Sequence, residues 1–116
     1  MRLKLALLYV KDLEVMTRFY ENVLGAAVTE RSPGYVVLDA QLALHAIPPQ
    51  YAADIAIAVP PVAREEAATK LVFVTDDVGA ACVRVEALGG IALPERWPGA
   101  RDVLDPEGNV FQLTAH

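Results

Sequence analysis

Cysteine is almost absent from this sequence: Cys82 stands alone among 116 residues. An internal disulfide is therefore excluded, and a reducing, cytoplasmic setting is expected. Basic charge is scarce too, with 10 Lys and Arg against 15 Asp and Glu. A net charge of −5 argues against a nucleic-acid partner, which would call for a basic face. It leaves room for neutral or cationic ligands. No apolar run reaches the roughly 18 residues that cross a bilayer, so no membrane partner is expected. The start, "MRLKLALLYVKDLE", lacks a small-residue cleavage site and runs straight into a helical pattern, so no signal peptide is expected. There is no Cys pair, no phosphate-cradling glycine loop and no Ser-His-Asp spacing. Tryptophan occurs once, at Trp97, and histidine twice, at His45 and the terminal His116, which is expected to fray.

What remains is a globular composition, 54% apolar and 22% charged, of a length suited to one domain over 1–116. Residues 3–10, apolar at both parities, predict a strand covered on both faces. Asp12 is placed to cap a helix whose apolar residues Leu13, Met16, Tyr20, Val23 and Leu24 keep helical spacing, and Gly25 ends it. Strands at 27–31, 35–39 and 42–47 follow. The same order returns: a strand at 70–75, a helix capped by Asp76 or Asp77 and ended by Gly89 and Gly90, then strands at 91–93, 100–104 and 109–113.

The two halves correspond residue by residue. Asp12, Gly25 and Gly34 lie 65 positions before Asp77, Gly90 and Gly99. The same shift pairs Leu5 with Lys70. Allowing a last hairpin two residues longer in the second half makes the shift 67 and pairs His45 with Gln112. The fold class expected is α+β: two βαβββ modules, 1–47 and 70–116, forming a curved eight-stranded mixed sheet with helices on the convex face and a pocket on the concave one. The linker 48–69 is bracketed by prolines. It offers a short strand at 54–59 and a helical turn at 64–70.

"VKDLEVMTRFYENVLG" (10–25) and "DPEGNVFQL" (105–113) resemble the first strand-to-helix segment and the final hairpin of the vicinal oxygen chelate superfamily, which includes glyoxalase I, bleomycin-resistance proteins and extradiol dioxygenases. The resemblance implies the same fold and, in metal-dependent members, four ligand positions on the first and last strand of each module. Carried onto this chain they are Leu5, His45, Lys70 and Gln112. Leu5 has no lone pair and Lys70 is an ammonium that repels a cation, so no metal and no other cofactor are expected.

Side chains alternate along a strand, so Leu7 and Tyr9 share the face of Leu5, and Val72 that of Lys70. The expected ligand pocket is Leu5, Leu7, Tyr9, His45, Lys70, Val72 and Gln112, with Trp97 as a lid and Arg101 at the mouth. Such a pocket suits a small organic molecule, bound by a metal-free protein resembling the bleomycin-resistance relatives, which implies a homodimer. The alternative is a lyase, isomerase or dioxygenase relative in which His45 and Lys70 are catalytic, exchanging protons. Each residue also has a plainer reading. Lys70 stands at a strand entrance or pairs with Glu107 or Asp39. His45 hydrogen-bonds Gln112 or backbone. Trp97 packs a loop or a dimer interface. Cys82 is a small core residue.

Overall fold

The computed structural model describes residues 1–64 and 66–115; His116, and the part of the expected 64–70 turn that falls on Glu65, lie outside them. The chain divides into two compact units, 1–56 and 57–116. The linker is thus shared out: 48–56 belong with the first unit and 57–69 with the second.

The first unit runs β1 (Ala6–Val10), α1 (Leu13–Leu24), β2 (Val28–Ser32), β3 (Tyr35–Leu38), β4 (Leu42–Ala46) and a short helix α2 (Pro49–Ala52). The second runs β5 (Leu71–Val74), α3 (Val78–Ala87), β6 (Ile91–Ala92), β7 (Ala100–Leu104) and β8 (Val110–Thr114). Each unit is the expected βαβββ module, and the α+β class holds. Their four-stranded sheets have matching orders, β1-β4-β3-β2 and β5-β8-β7-β6. In both, the first strand pairs parallel with the last, and the other contacts are antiparallel. Residues 54–59 form no strand. Pro49 at the first turn of α2 instead starts a helix, where a missing N–H costs nothing.

Local chemistry sets these boundaries. The Asp12 carboxylate accepts from Val15 N at 3.1 Å, and Asp77 repeats the cap with Ala80 N at 2.9 Å. Gly25 closes α1 in the left-handed conformation, φ 65°. In the second half the left-handed residue is Gly89, at φ 91°, one position earlier than the repeat implied, because α3 is shorter than α1. On each sheet the parity that meets the helix is buried. Val10, Val36, Leu38 and Leu44 are buried in the first unit, where α1 contributes Met16, Phe19, Tyr20 and Val23. Phe111, Leu113 and Val103 do the same in the second, with Ala81, Cys82 and Val85 from α3. Phe73 meets Phe111 edge to face at 5.7 Å.

The ladders refine the repeat. Leu7 and Val37 flank Ala43, whereas Val72 and Asp102, each 65 positions on, flank Gln112. The module-one counterpart of Gln112 is therefore Ala43, and the final shift is 69. His45, opposite Tyr9 and Tyr35, corresponds to Thr114, opposite Val74 and Ala100. It keeps the face of Ala43 but stands one pleat further along, roughly 6–7 Å. The added length is a ladder pair, Leu104 with Val110, besides a longer loop.

Candidate functional site

Alternation along β7 and β8 divides the second module's polar residues between two faces. Gln112 and Asp102 are register partners, and Val72 sits beside Gln112 on β5. Lys70, two residues before Val72, shares that face. Its ammonium lies 2.9 Å from Asp102 Oδ2, while Gln112 Nε2 donates to Asp102 Oδ1 at 3.3 Å. One carboxylate thus joins the two polar residues that the repeat singled out. The partner of Lys70 is Asp102, not Glu107 or Asp39. Asp39 accepts instead from Ala27 N in its own module.

Beside Asp102 lies a cavity of about 230 Å³ walled by Leu93, Pro94, Arg96 and Trp97 as well as Asp102 itself. Trp97 is therefore a wall residue. Arg101 is not: it is the register partner of Leu113, on the buried parity. Its Nε donates to the carbonyl oxygen of Leu93, and its charge reaches the Cys82 thiol. The expectation of Arg101 at a pocket mouth is corrected by that parity, and Asp102, its neighbour, takes the place. Asp102 went unnoticed in the sequence, although its position opposite Gln112 could have been counted from the hairpin. Cys82 is buried among core residues, and its thiol is pushed up by loss of hydration, with Arg101 opposing and Glu86 adding to the shift.

In the first module His45 is half-buried between two phenols, with ring centroids 5.4 Å from Tyr9 and 5.9 Å from Tyr35. Its Nδ1 lies 2.8 Å from the carbonyl oxygen of Ala46. A carbonyl oxygen only accepts, so Nδ1 carries the proton and Nε2 of the neutral ring presents a lone pair. Of the two bonds expected for His45, the backbone bond is present. Leu5 and Lys70 each stand one residue before a strand. Leu7 and Tyr9 share the His45 face and are exposed, as is Val72 on the face of Gln112.

A divalent metal does not fit this donor set. Leu5 and Ala43 hold the first module's counterparts of Lys70 and Gln112 and offer no lone pair. Lys70 is committed as a cation to Asp102. Among the described residues no three His, Cys, Asp or Glu side chains cluster to hold an ion. Also among the described residues, no helix is long and apolar enough to cross a membrane.

The model of the Glyoxalase/Bleomycin resistance protein/Dioxygenase superfamily matches residues 2–113. No curated protein matches the sequence. Among solved structures, the fosfomycin resistance protein FosX from Mesorhizobium loti is 22% identical at a TM-score of 0.70, with 99% of this chain and 91% of that chain covered. A FosX variant from Listeria monocytogenes, complexed with Mn(II) and dihydroxypropylphosphonic acid, is 20% identical at 0.69, covering 98% and 89%. A glyoxalase/bleomycin resistance protein/dioxygenase family enzyme from Burkholderia phytofirmans is 22% identical at 0.68, covering 95% and 94%. At these identities the structural likeness speaks for the fold alone.

Proposed function

The chain belongs to the glyoxalase/bleomycin resistance protein/dioxygenase superfamily, and we propose that it is a metal-free member that binds a small organic molecule. The observation that carries this reading is the Lys70–Asp102–Gln112 network beside the Trp97 cavity. The Listeria FosX variant is complexed with Mn(II); in this chain the polar network is built instead around an ammonium and its counter-ion. That arrangement serves to position a polar ligand group, since Lys70 has three N–H donors and the Gln112 amide has an oxygen besides the nitrogen turned to Asp102. The apolar part of a ligand lies against Leu93, Pro94 and the Trp97 ring. The protein acts as a cytoplasmic homodimer in this reading, in keeping with its single buried thiol.

The test is elemental analysis of the purified protein, with melting curves in the presence and absence of EDTA. The expected result is no stoichiometric metal and no shift; one equivalent of Mn, Fe, Ni or Zn overturns the metal-free assignment. A metabolite library screened by thermal shift then supplies ligands. A monomeric mass by light scattering at micromolar concentration overturns the dimer.

A second reading is favoured by the tautomer of His45. An imidazole with its Nδ1 proton held by Ala46 presents Nε2 as a base. On that reading the protein is a lyase, isomerase or dioxygenase relative. Turnover of a screening hit by the wild type, abolished in His45→Ala, decides for the enzyme; binding without turnover decides for the binder.

A further inference from the structure

The cavity of the second module has a composition that narrows its ligand. Its aromatic wall is Trp97, a large apolar side chain left 49% exposed. Its charged walls are Arg96 and Asp102. The Asp102 charge is already matched by Lys70 at 2.9 Å, so the charge in the wall with no ion-pair partner among the described residues is the Arg96 guanidinium. In a chain of net charge −5, this is a local positive site.

The wall is also held in shape. Trp97, Pro98, Gly99 and Ala100 make a turn with proline at its second position and Gly99 at φ 74°, the left-handed angle of a type II turn. Ala100 N donates to the Trp97 carbonyl oxygen at 3.3 Å. At the other end, Leu93 N donates to Asp102 O at 3.0 Å, and Arg101 Nε returns to Leu93 O. The backbone that carries the Trp97 ring is fixed at both ends of the loop, which lowers the ordering cost of binding.

Resting on the reading of this protein as a small-molecule binder, we propose that the cavity takes a planar aromatic carboxylate, its ring stacked on Trp97 and its carboxylate paired with Arg96. A planar guanidinium matches a carboxylate fork with two parallel N–H···O bonds, and an indole face matches a flat ring. The volume, about 230 Å³, is below the roughly 300–1,000 Å³ of pockets for drug-sized ligands. It selects one ring with a short acidic group over a fused system.

Because Trp97 is the sole tryptophan, emission excited selectively from tryptophan reports on this wall and no other. Titration with benzoate is expected to change the emission saturably. Calorimetry is expected to give at least about tenfold weaker binding of benzoate by Arg96→Gln, the loss of a charge-assisted pair, and weaker binding of cyclohexanecarboxylate by the wild type. Benzylamine, with the charge reversed, is expected not to bind. Trp97→Leu, followed by calorimetry and with its melting temperature checked, is expected to lose binding without unfolding. Benzoate that produces neither heat nor emission change overturns the proposal, as do equal affinities for benzoate and benzylamine. If library compounds stabilise the wild type and Arg96→Gln and Trp97→Leu alike, this site is wrong while the binding reading stands. If no compound stabilises the protein, the binding reading fails with it.

Discussion

The Lys70 ammonium lies 2.9 Å from the Asp102 carboxylate, and the two partners differ in exposure: 40% for the lysine side chain and 15% for the aspartate. That asymmetry predicts unequal costs. Lys70→Met leaves a largely desolvated carboxylate to which the Gln112 amide still donates, and should cost about 1–2 kcal/mol. Asp102→Asn leaves an ammonium that turns to water, and should cost about 0.5–1 kcal/mol. Urea melts of both variants and the double variant measure the pair, and a larger loss for Asp102→Asn would contradict this account of burial.

Gly108 predicts a sharper effect. It holds φ 85° in the last hairpin, and a Cβ there would collide with the carbonyl oxygen of Val62. The linker segment at 62–64 is strapped to this turn, Arg64 N donating to Gly108 O at 3.0 Å and Arg64 Nε to Glu107 O at 3.2 Å. Gly108→Ala therefore adds a clash to left-handed strain and should cost about 3 kcal/mol, roughly 10 °C in Tm. Gly99→Ala is the control. Its φ of 74° carries the strain, but nothing lies within 4 Å of the added methyl, so about 1 kcal/mol is expected.

Asp105 organises the same hairpin from inside. It is fully buried, and Oδ1 accepts from Glu107 N at 2.9 Å and Asn109 N at 3.0 Å while Oδ2 accepts from Asn109 Nδ2 at 2.8 Å. Asp105→Ala strands two backbone donors and a side-chain amide, and a loss of about 3 kcal/mol is expected in thermal or urea unfolding. Asp105→Asn keeps one acceptor oxygen, so it should lose less than the alanine.

The features that were legible in the sequence are those fixed by near neighbours. Asp12 and Asp77 announce their helices because a cap bonds three residues away, and Gly34 and Gly99 announce their turns because φ above 70° suits glycine. Register is different. The count that paired His45 with Gln112 allowed for a longer loop but not for the extra Leu104–Val110 rung, and a rung adds two residues without any turn signal. Arg101 is expected at the pocket mouth and Asp102 escapes notice for a related reason: neighbours on a strand point to opposite faces, and the residue type alone does not reveal which faces the cavity. Helix α2 was hidden by its prolines, read as linker although Pro49 at a first turn favours a helix.

Cys82 predicts a pH dependence of stability. Burial, the largest influence, raises its thiol above the ordinary 9.0, Arg101 pulling it back and Glu86 adding to the rise. Below pH 9.0 both folded and unfolded chains keep the proton, and this group contributes no slope. Above it the unfolded chain releases the proton first, while the folded chain must hold it or ionise in the core, so stability falls as pH rises through the folded value. Urea midpoints measured from neutral pH upward should decline above pH 9.0 more in the wild type than in Cys82→Ala, which has no thiol to titrate. The same burial predicts that a thiol reagent modifies the native protein far more slowly than the urea-unfolded chain at one pH. Equal rates in the two states, or parallel declines for wild type and variant, would show that Cys82 is open to solvent.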